Sequence, residues 1–278
     1  MRESSLHDHA FNLPKYVEPI VQPVLANLRT LFLDLNSEFP PAQVDVDNVP
    51  IECPSYLLRR FLSRVPQLEH LRLNFQFYTG QETNGVLSWL SKPASVVTSN
   101  IASGTSVLQP PRSIDFPKLR QLDIGMIAIE PQILLAIIRK YRATLHTVSF
   151  HKVSLVQVDS VKPGDRVNLW AKFFGQLSKL DLNLSAINMS FLSQEQVGKP
   201  HVWPITFKDS RHPKLKRWAG TDIQGGLRDF TNHMMVNGPE HDTESSHSDE
   251  SVEDDSDSKR LKFDSLISNL LAKSLHLN

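Results

Sequence analysis

The chain has 278 residues, 30 acidic and 30 basic, and a 40% hydrophobic composition, which is enough apolar material to bury a core. Its single cysteine, Cys53, excludes an intramolecular disulfide and a cysteine-built zinc cluster and suits a reducing compartment. The neutral total is divided unevenly: from Pro239 onward there are 10 acidic and 4 basic residues, so a mildly basic body carries an acidic tail.

Residues 1–23 read as a leader and first helix. "MRESSLHDHAFNLPKY" has no apolar stretch of the secretory kind. The longest aliphatic run, Ile133 to Ile138, is far too short to span a bilayer, so no membrane association is expected. A soluble protein of the cytoplasm, the nucleus or both follows. The first helix falls between Asn12 and Asn27, interrupted by Pro19 and Pro23.

Residues 24–193 carry a repeated pattern. Leu28, Leu31 and Leu33 are spaced i, i+3, i+5, and the spacing returns at Leu68, Leu71, Leu73; Leu119, Leu122, Ile124; Leu145, Val148, Phe150; and Leu177, Leu180, Leu182. Residues two apart on a strand share a face, so the last two positions of each copy point to one side and the first anchors the turn into the strand. One such unit cannot bury its own apolar face; stacked units bury one another's. L-x-x-L-x-L is the strand signature of leucine-rich repeats. The copies start 40, 51, 26 and 32 residues apart, so the repeats are irregular. The asparagine that usually follows is present only at Asn36; Gln76, Ile127, Val153 and Ser185 fill the other stations.

Helices are expected between the strands. "SYLLRRFLSRVP" places Leu57, Leu58, Phe61, Leu62 and Val65 at helical spacing after a candidate N-cap, Ser55. "EPQILLAIIRKYRATL" opens with Glu130 and Pro131 and ends with Arg139, Lys140 and Arg142, charges that suit the two ends of a helix. "VNLWAKFFGQL" supplies Leu169, Trp170, Phe173, Phe174 and Leu177. The alternation predicts an α/β fold: an irregular leucine-rich-repeat solenoid with parallel strands on the concave face and helices on the convex one. Residues 92–113, rich in Ser, Gly and Pro, read as an exposed loop. Residues 194–237 read as a C-terminal cap, 238–262 as a disordered acidic linker and 263–278 as a short amphipathic helix.

The stretch "FPKLRQLDIGMIAIEPQILLAIIRKYRATLHTVSFHKVSL", followed by "VNLWAKFFGQLSKLDLNLS", resembles the repeat region of fungal F-box proteins. The resemblance covers roughly residues 24–185, and more loosely extends to about 236. It implies a degenerate leucine-rich-repeat arc behind an F-box. The F-box is not seen: Leu13 and Pro14 lead straight into the first strand, with no room for its three helices.

No phosphate-cradling glycine loop, nucleophile elbow or His-Glu-x-x-His helix is present, and no enzymatic activity, cofactor or metal is expected. Ser149 and His151 share a strand face, but no acid is placed to complete a triad. His7 and His9 sit in a polar leader, and His241 and His247 in the acidic tail. Lys208, Arg211, Lys214, Lys216 and Arg217 form the densest basic stretch, but interleaved aromatics are scarce and nucleic acid is not the expected partner.

The expected function is a protein-interaction scaffold, monomeric, binding a protein partner on the outward side of its strands. Strand alternation nominates Phe32, Asp34, His70, Arg72, Asn74, Gln121, Asp123, Ser149, His151 and Asp181 as that surface. Arg72 and Asp123, on neighbouring strands, are placed to pair. The alternative is a substrate-recognition adaptor of a cullin-type ubiquitin ligase whose F-box is missing from this chain, with ligase subunits as partners. Ser246 and Ser251, each three residues before an acid, are candidate phosphorylation sites.

Overall fold

Period-two aliphatic runs become strands because a sheet packed on one side buries every second residue. The computed structural model of this chain describes residues 6–36, 55–75, 80–94, 111–157, 167–196, 202–208 and 210–237. Residues 95–110 of the expected loop, the linker at 238–262 with Ser246 and Ser251, and the expected helix at 263–278 lie outside the described residues. A 3-10 turn at Asp8–Phe11 precedes α1 (Glu18–Ala26), β1 (Thr30–Leu35), α2 (Tyr56–Leu62), β2 (His70–Phe75), α3 (Gly80–Ser91) and β3 (Gln121–Ile129). There follow α4 (Pro131–Tyr141), β4 (Thr147–Gln157), α5 (Leu169–Leu177), β5 (Ala186–Ser190), β6 (Ser193–Gln196), β7 (Val202–Phe207), β8 (Leu215–Ala219), α6 (Ile223–His233) and β9 (Met234–Val236). The fold is mixed α/β around one parallel-rich, unclosed sheet.

β1, β2, β3 and β4 pair in parallel and in chain order, and β5 and β6 both continue parallel to β4. The register is strict. Leu31, Leu71, Leu122, Val148 and Ile187 form one row, and Leu33, Leu73, Ile124, Phe150 and Met189 the next. Both rows face the core: Leu71, Leu73 and Leu122 are fully buried, and Val148, Phe150 and Ile187 nearly so. The same backbone junction opens each strand. The carbonyl of Arg29 accepts from the N–H groups of Glu69 and His70, that of Glu69 from Arg120 and Gln121, that of Arg120 from His146 and Thr147, and that of His146 from Ser185 and Ala186.

This register corrects the fifth copy of the pattern. Leu177, Leu180 and Leu182 make no strand: Leu177 ends α5, and residues 178–185 form a turn and an irregular segment. The strand is Ala186–Ser190, so the true frame is Leu184, Ile187, Met189. "LSKLDL" has the better leucines, but a helix that still had core to fill took the first of them. Asp181, nominated from that frame, therefore lies off the strand.

A second repeated feature runs across the sheet. Met126, Lys152 and Phe191 all adopt left-handed backbone, with φ of 58°, 52° and 53°. Met126 and Lys152 follow the paired residues Gly125 and His151, and Phe191 follows Ser190, which pairs with His151. The inserted residue shifts the alternation by one, so Ile127, Val153 and Leu192 turn inward and are buried. These are the stations an asparagine would occupy in the regular repeat. Aliphatic side chains fill them instead, and β3 and β4 run on past the bend.

Two polar anchors tie distant segments to this frame. Ser55 precedes α2 but, at φ 58°, its side chain makes no cap bond. The cap comes from Asp8, whose buried carboxylate accepts the N–H groups of Leu57 (3.3 Å) and Leu58 (2.9 Å). Burial pushes the Asp8 pKa up, against the opposing pull of those N–H groups and of Arg59. The second anchor is Lys140, near the end of α4. Its Nζ donates to the carbonyls of Leu90 (3.1 Å), Lys92 (2.7 Å) and Ile114 (2.7 Å) and to Ser113 Oγ (3.0 Å), with Asp115 at 3.2 Å. It thereby holds together the segments on either side of residues 95–110, while Trp89 Nε1 donates to the Pro111 carbonyl (2.8 Å).

Beyond β6 the sheet turns antiparallel: β8 pairs with β5, β7 with β6, and β9 with β7. α6 contains two glycines yet forms. Asp222 caps it by accepting from the Gly225 N–H (2.9 Å), and the Trp218 indole lies so close to Gly226 that any Cβ there would overlap it. Lys216 pairs with Asp229 of α6 at 3.1 Å. An aromatic cluster of Phe150, Trp170, Phe173, Phe174 and Phe230 joins β4, α5 and α6.

Candidate functional site

The side of the parallel strands turned away from the buried rows is polar. Because the register is strict, its side chains form three rows. Thr30, His70, Gln121, Thr147 and Ala186 make the first. Phe32, Arg72, Asp123, Ser149 and Asn188 make the second, which Arg217 of β8 extends. Asp34, Asn74, Gly125, His151 and Ser190 make the third. Nine of the ten nominated residues thus lie on one surface, and Asp181 does not.

Most of these groups bond to one another. His70 Nε2 donates to Asp123 Oδ2 at 2.7 Å, and Gln121 Nε2 donates to both oxygens of the same carboxylate at 3.1 and 3.2 Å. Asp123 is thus engaged by His70 and Gln121 and not, as strand adjacency suggests, by Arg72. Asn74 Nδ2 donates to Asp34 Oδ1 at 2.8 Å. Gly125 lies beneath Asn74, whose Oδ1 a Cβ would overlap, so the absent side chain gives the amide its room. Asn188 Nδ2 donates to Ser149 Oγ at 3.2 Å, and His151 Nδ1 is 2.7 Å from Ser190 Oγ.

Phe32 and Arg72 stand outside these bonds. Phe32 is 55% exposed, its ring edge-on to His70 with centroids 4.6 Å apart. Arg72, its neighbour in the row, makes no hydrogen bond or ion pair among the described residues. Its charge is felt at His151: burial, then Lys152 and Arg72, push that imidazole down to about 4, so it is neutral at physiological pH. Ser149 and His151 share the surface but bond to Asn188 and Ser190, not to each other.

Asn188, Ser190 and Arg217 belong to this surface and were not nominated. The signal for the first two was present as Leu184, Ile187 and Met189, one leucine and two substitutes. Arg217 arrives only through antiparallel pairing. The basic stretch is dispersed: Lys216 points to α6 and its ion pair, Arg217 to the polar surface, and Arg211 and Lys214 are exposed in the turn before β8. His7 and His9 stack with centroids 5.5 Å apart. His241 and His247 lie outside the described residues. Among the described residues no three His, Cys, Asp or Glu side chains are grouped to hold a metal, and no helix is long and apolar enough to cross a membrane.

Neither a protein-family model nor a curated protein matches the chain.

Proposed function

We propose that this chain is an irregular leucine-rich-repeat arc that binds a protein partner on the polar, concave side of β1 to β5, in the cytoplasm or nucleus. The supporting observation is the pairing of Phe32 and Arg72. On a surface where many polar groups bond to one another, an exposed aromatic ring stands beside a guanidinium that has no ion-pair partner among the described residues, and aromatic residues and Arg are enriched at protein interfaces. The repeated strand-opening junction and the in-register rows support the repeat reading.

The test is quantitative affinity capture from native cells with the full chain and with Phe32→Ala, Arg72→Ala and, as a control on the helix side, Lys172→Ala. The reading expects at least one protein recovered by the wild type and by Lys172→Ala but lost with both surface variants. Equal recovery by all four chains refutes it. Cullin-complex subunits among the captured proteins would mark the chain as a ligase adaptor.

A further inference from the structure

A different part of the molecule carries a second site. The residues whose carbonyls open the strands, Arg29, Glu69, Arg120 and His146, occupy one station on four adjacent strands, about 4.8 Å apart from strand to strand. Together with Lys118 and Thr144 their side chains line a groove of about 360 Å³ at the N-terminal edge of the sheet. Arg29 lies 3.4 Å from Glu69, which offsets that charge. Lys118 and Arg120 have no side-chain hydrogen bond or ion pair among the described residues. His146 Nδ1 donates to the Thr144 carbonyl at 2.6 Å, which fixes the ring and leaves Nε2 as its remaining polar atom.

We propose that this groove binds a phosphoryl group presented by a phosphorylated protein segment. The Arg120 guanidinium fork and the Lys118 ammonium, neither with a side-chain partner among the described residues, line one small concavity. That set matches a tetrahedral dianion with three acceptor oxygens better than a carboxylate with two and a single charge. The volume lies at the small end of ligand sites and suits one modified side chain with its neighbours. A nucleic-acid strand fits less well. Glu69 interrupts the basic column that a polyanion would follow, and among the described residues no Phe, Tyr or Trp lines the groove to stack a base. The site shares no residue with the Phe32–Arg72 surface and does not depend on that reading.

The test titrates the isotope-labelled full chain with N-acetyl-phosphoserine amide at low salt, following backbone amide shifts. Parallel titrations use N-acetyl-serine amide, N-acetyl-glutamate amide and a single-stranded oligonucleotide. Expected are saturable shifts confined to residues near 117–120 and 143–146. Binding is tenfold or more weaker in Arg120→Ala, weaker in Lys118→Ala and unchanged in Arg211→Ala, which removes an exposed arginine elsewhere. Arg120 and Lys118 are exposed, so both variants should fold, and a thermal melt checks that they do. The proposal is overturned if phosphoserine gives no saturable shift, if the glutamate compound binds equally well, or if Arg211→Ala weakens binding as much as Arg120→Ala. Tighter binding of the oligonucleotide at the same amides would also overturn it, assigning the groove to a phosphodiester.

Discussion

The two faces of the parallel strands share one backbone and differ in almost everything else. On the helix side each row is aliphatic or aromatic across five strands, as in Leu33, Leu73, Ile124, Phe150 and Met189. On the open side a row reads Phe32, Arg72, Asp123, Ser149 and Asn188, with no type repeated. A buried row has one physical task, to exclude water at close packing, and few residue types perform it. An open row can leave polar groups to water, and here Asn188 bonds to Ser149 and Asp123 to His70 and Gln121, while Arg72 stays without a hydrogen bond or ion pair among the described residues. The difference teaches where stability resides: the uniform face supplies the core, while the varied face is free of that packing constraint and is where the proposed partner would bind.

That contrast breaks most visibly at Leu122, at the centre of the buried rows. Leu122→Ala is expected to cost about 2–5 kcal/mol of unfolding free energy, read from a denaturant midpoint. An unchanged midpoint would mean that the rows are not the core. Lys140 offers the next test on the helix side, where its ammonium is drawn into a cage of carbonyls. Lys140→Ala leaves those acceptors without their donor and is expected to cost about 1–3 kcal/mol, with faster proteolysis between Lys92 and Arg112.

The open face is sharpened by pH. Folding lowers the His151 pKa from 6.5 to about 4, so the unfolded chain takes up the proton more readily. The resulting stability is fully present above pH 6.5 and is lost as the pH falls towards 4. Between pH 7 and pH 5 the loss attributable to His151 is about 1–2 kcal/mol. His151→Gln should flatten the pH profile of the denaturant midpoint in that window; a parallel profile would rule out the assignment. The smallest stability effects are expected at the proposed partner-binding groups. Phe32→Ala and Arg72→Ala should stay within about 0.5 kcal/mol of wild type while abolishing partner capture. A large destabilisation at either would place the residue in the scaffold rather than at the interface.

Much of this was legible in the chain before folding. Alternation at Leu31 and Leu33, Leu71 and Leu73, Leu122 and Ile124, and Val148 and Phe150 determined four strands and their inward sides, because period two is a property of the extended backbone itself. The same parity put Phe32, Arg72, Asp123 and His151 on one surface. Helix ends at Glu130 and Pro131 were equally local. Tertiary structure decided whatever depends on partners far apart in sequence. Leu177 could close a helix or begin a strand, and only the space left in the core beside Phe173 and Phe174 selected the helix. The cap of α2 comes from Asp8, about 50 residues earlier, in place of the adjacent Ser55. Asp123 took His70 and Gln121 over Arg72 because side-chain reach, not strand adjacency, sets the hydrogen bond. The left-handed residues Met126, Lys152 and Phe191 share no residue type, so no local pattern announces them. They align because each strand must bend where its neighbour bends, a constraint that exists only once the strands are paired.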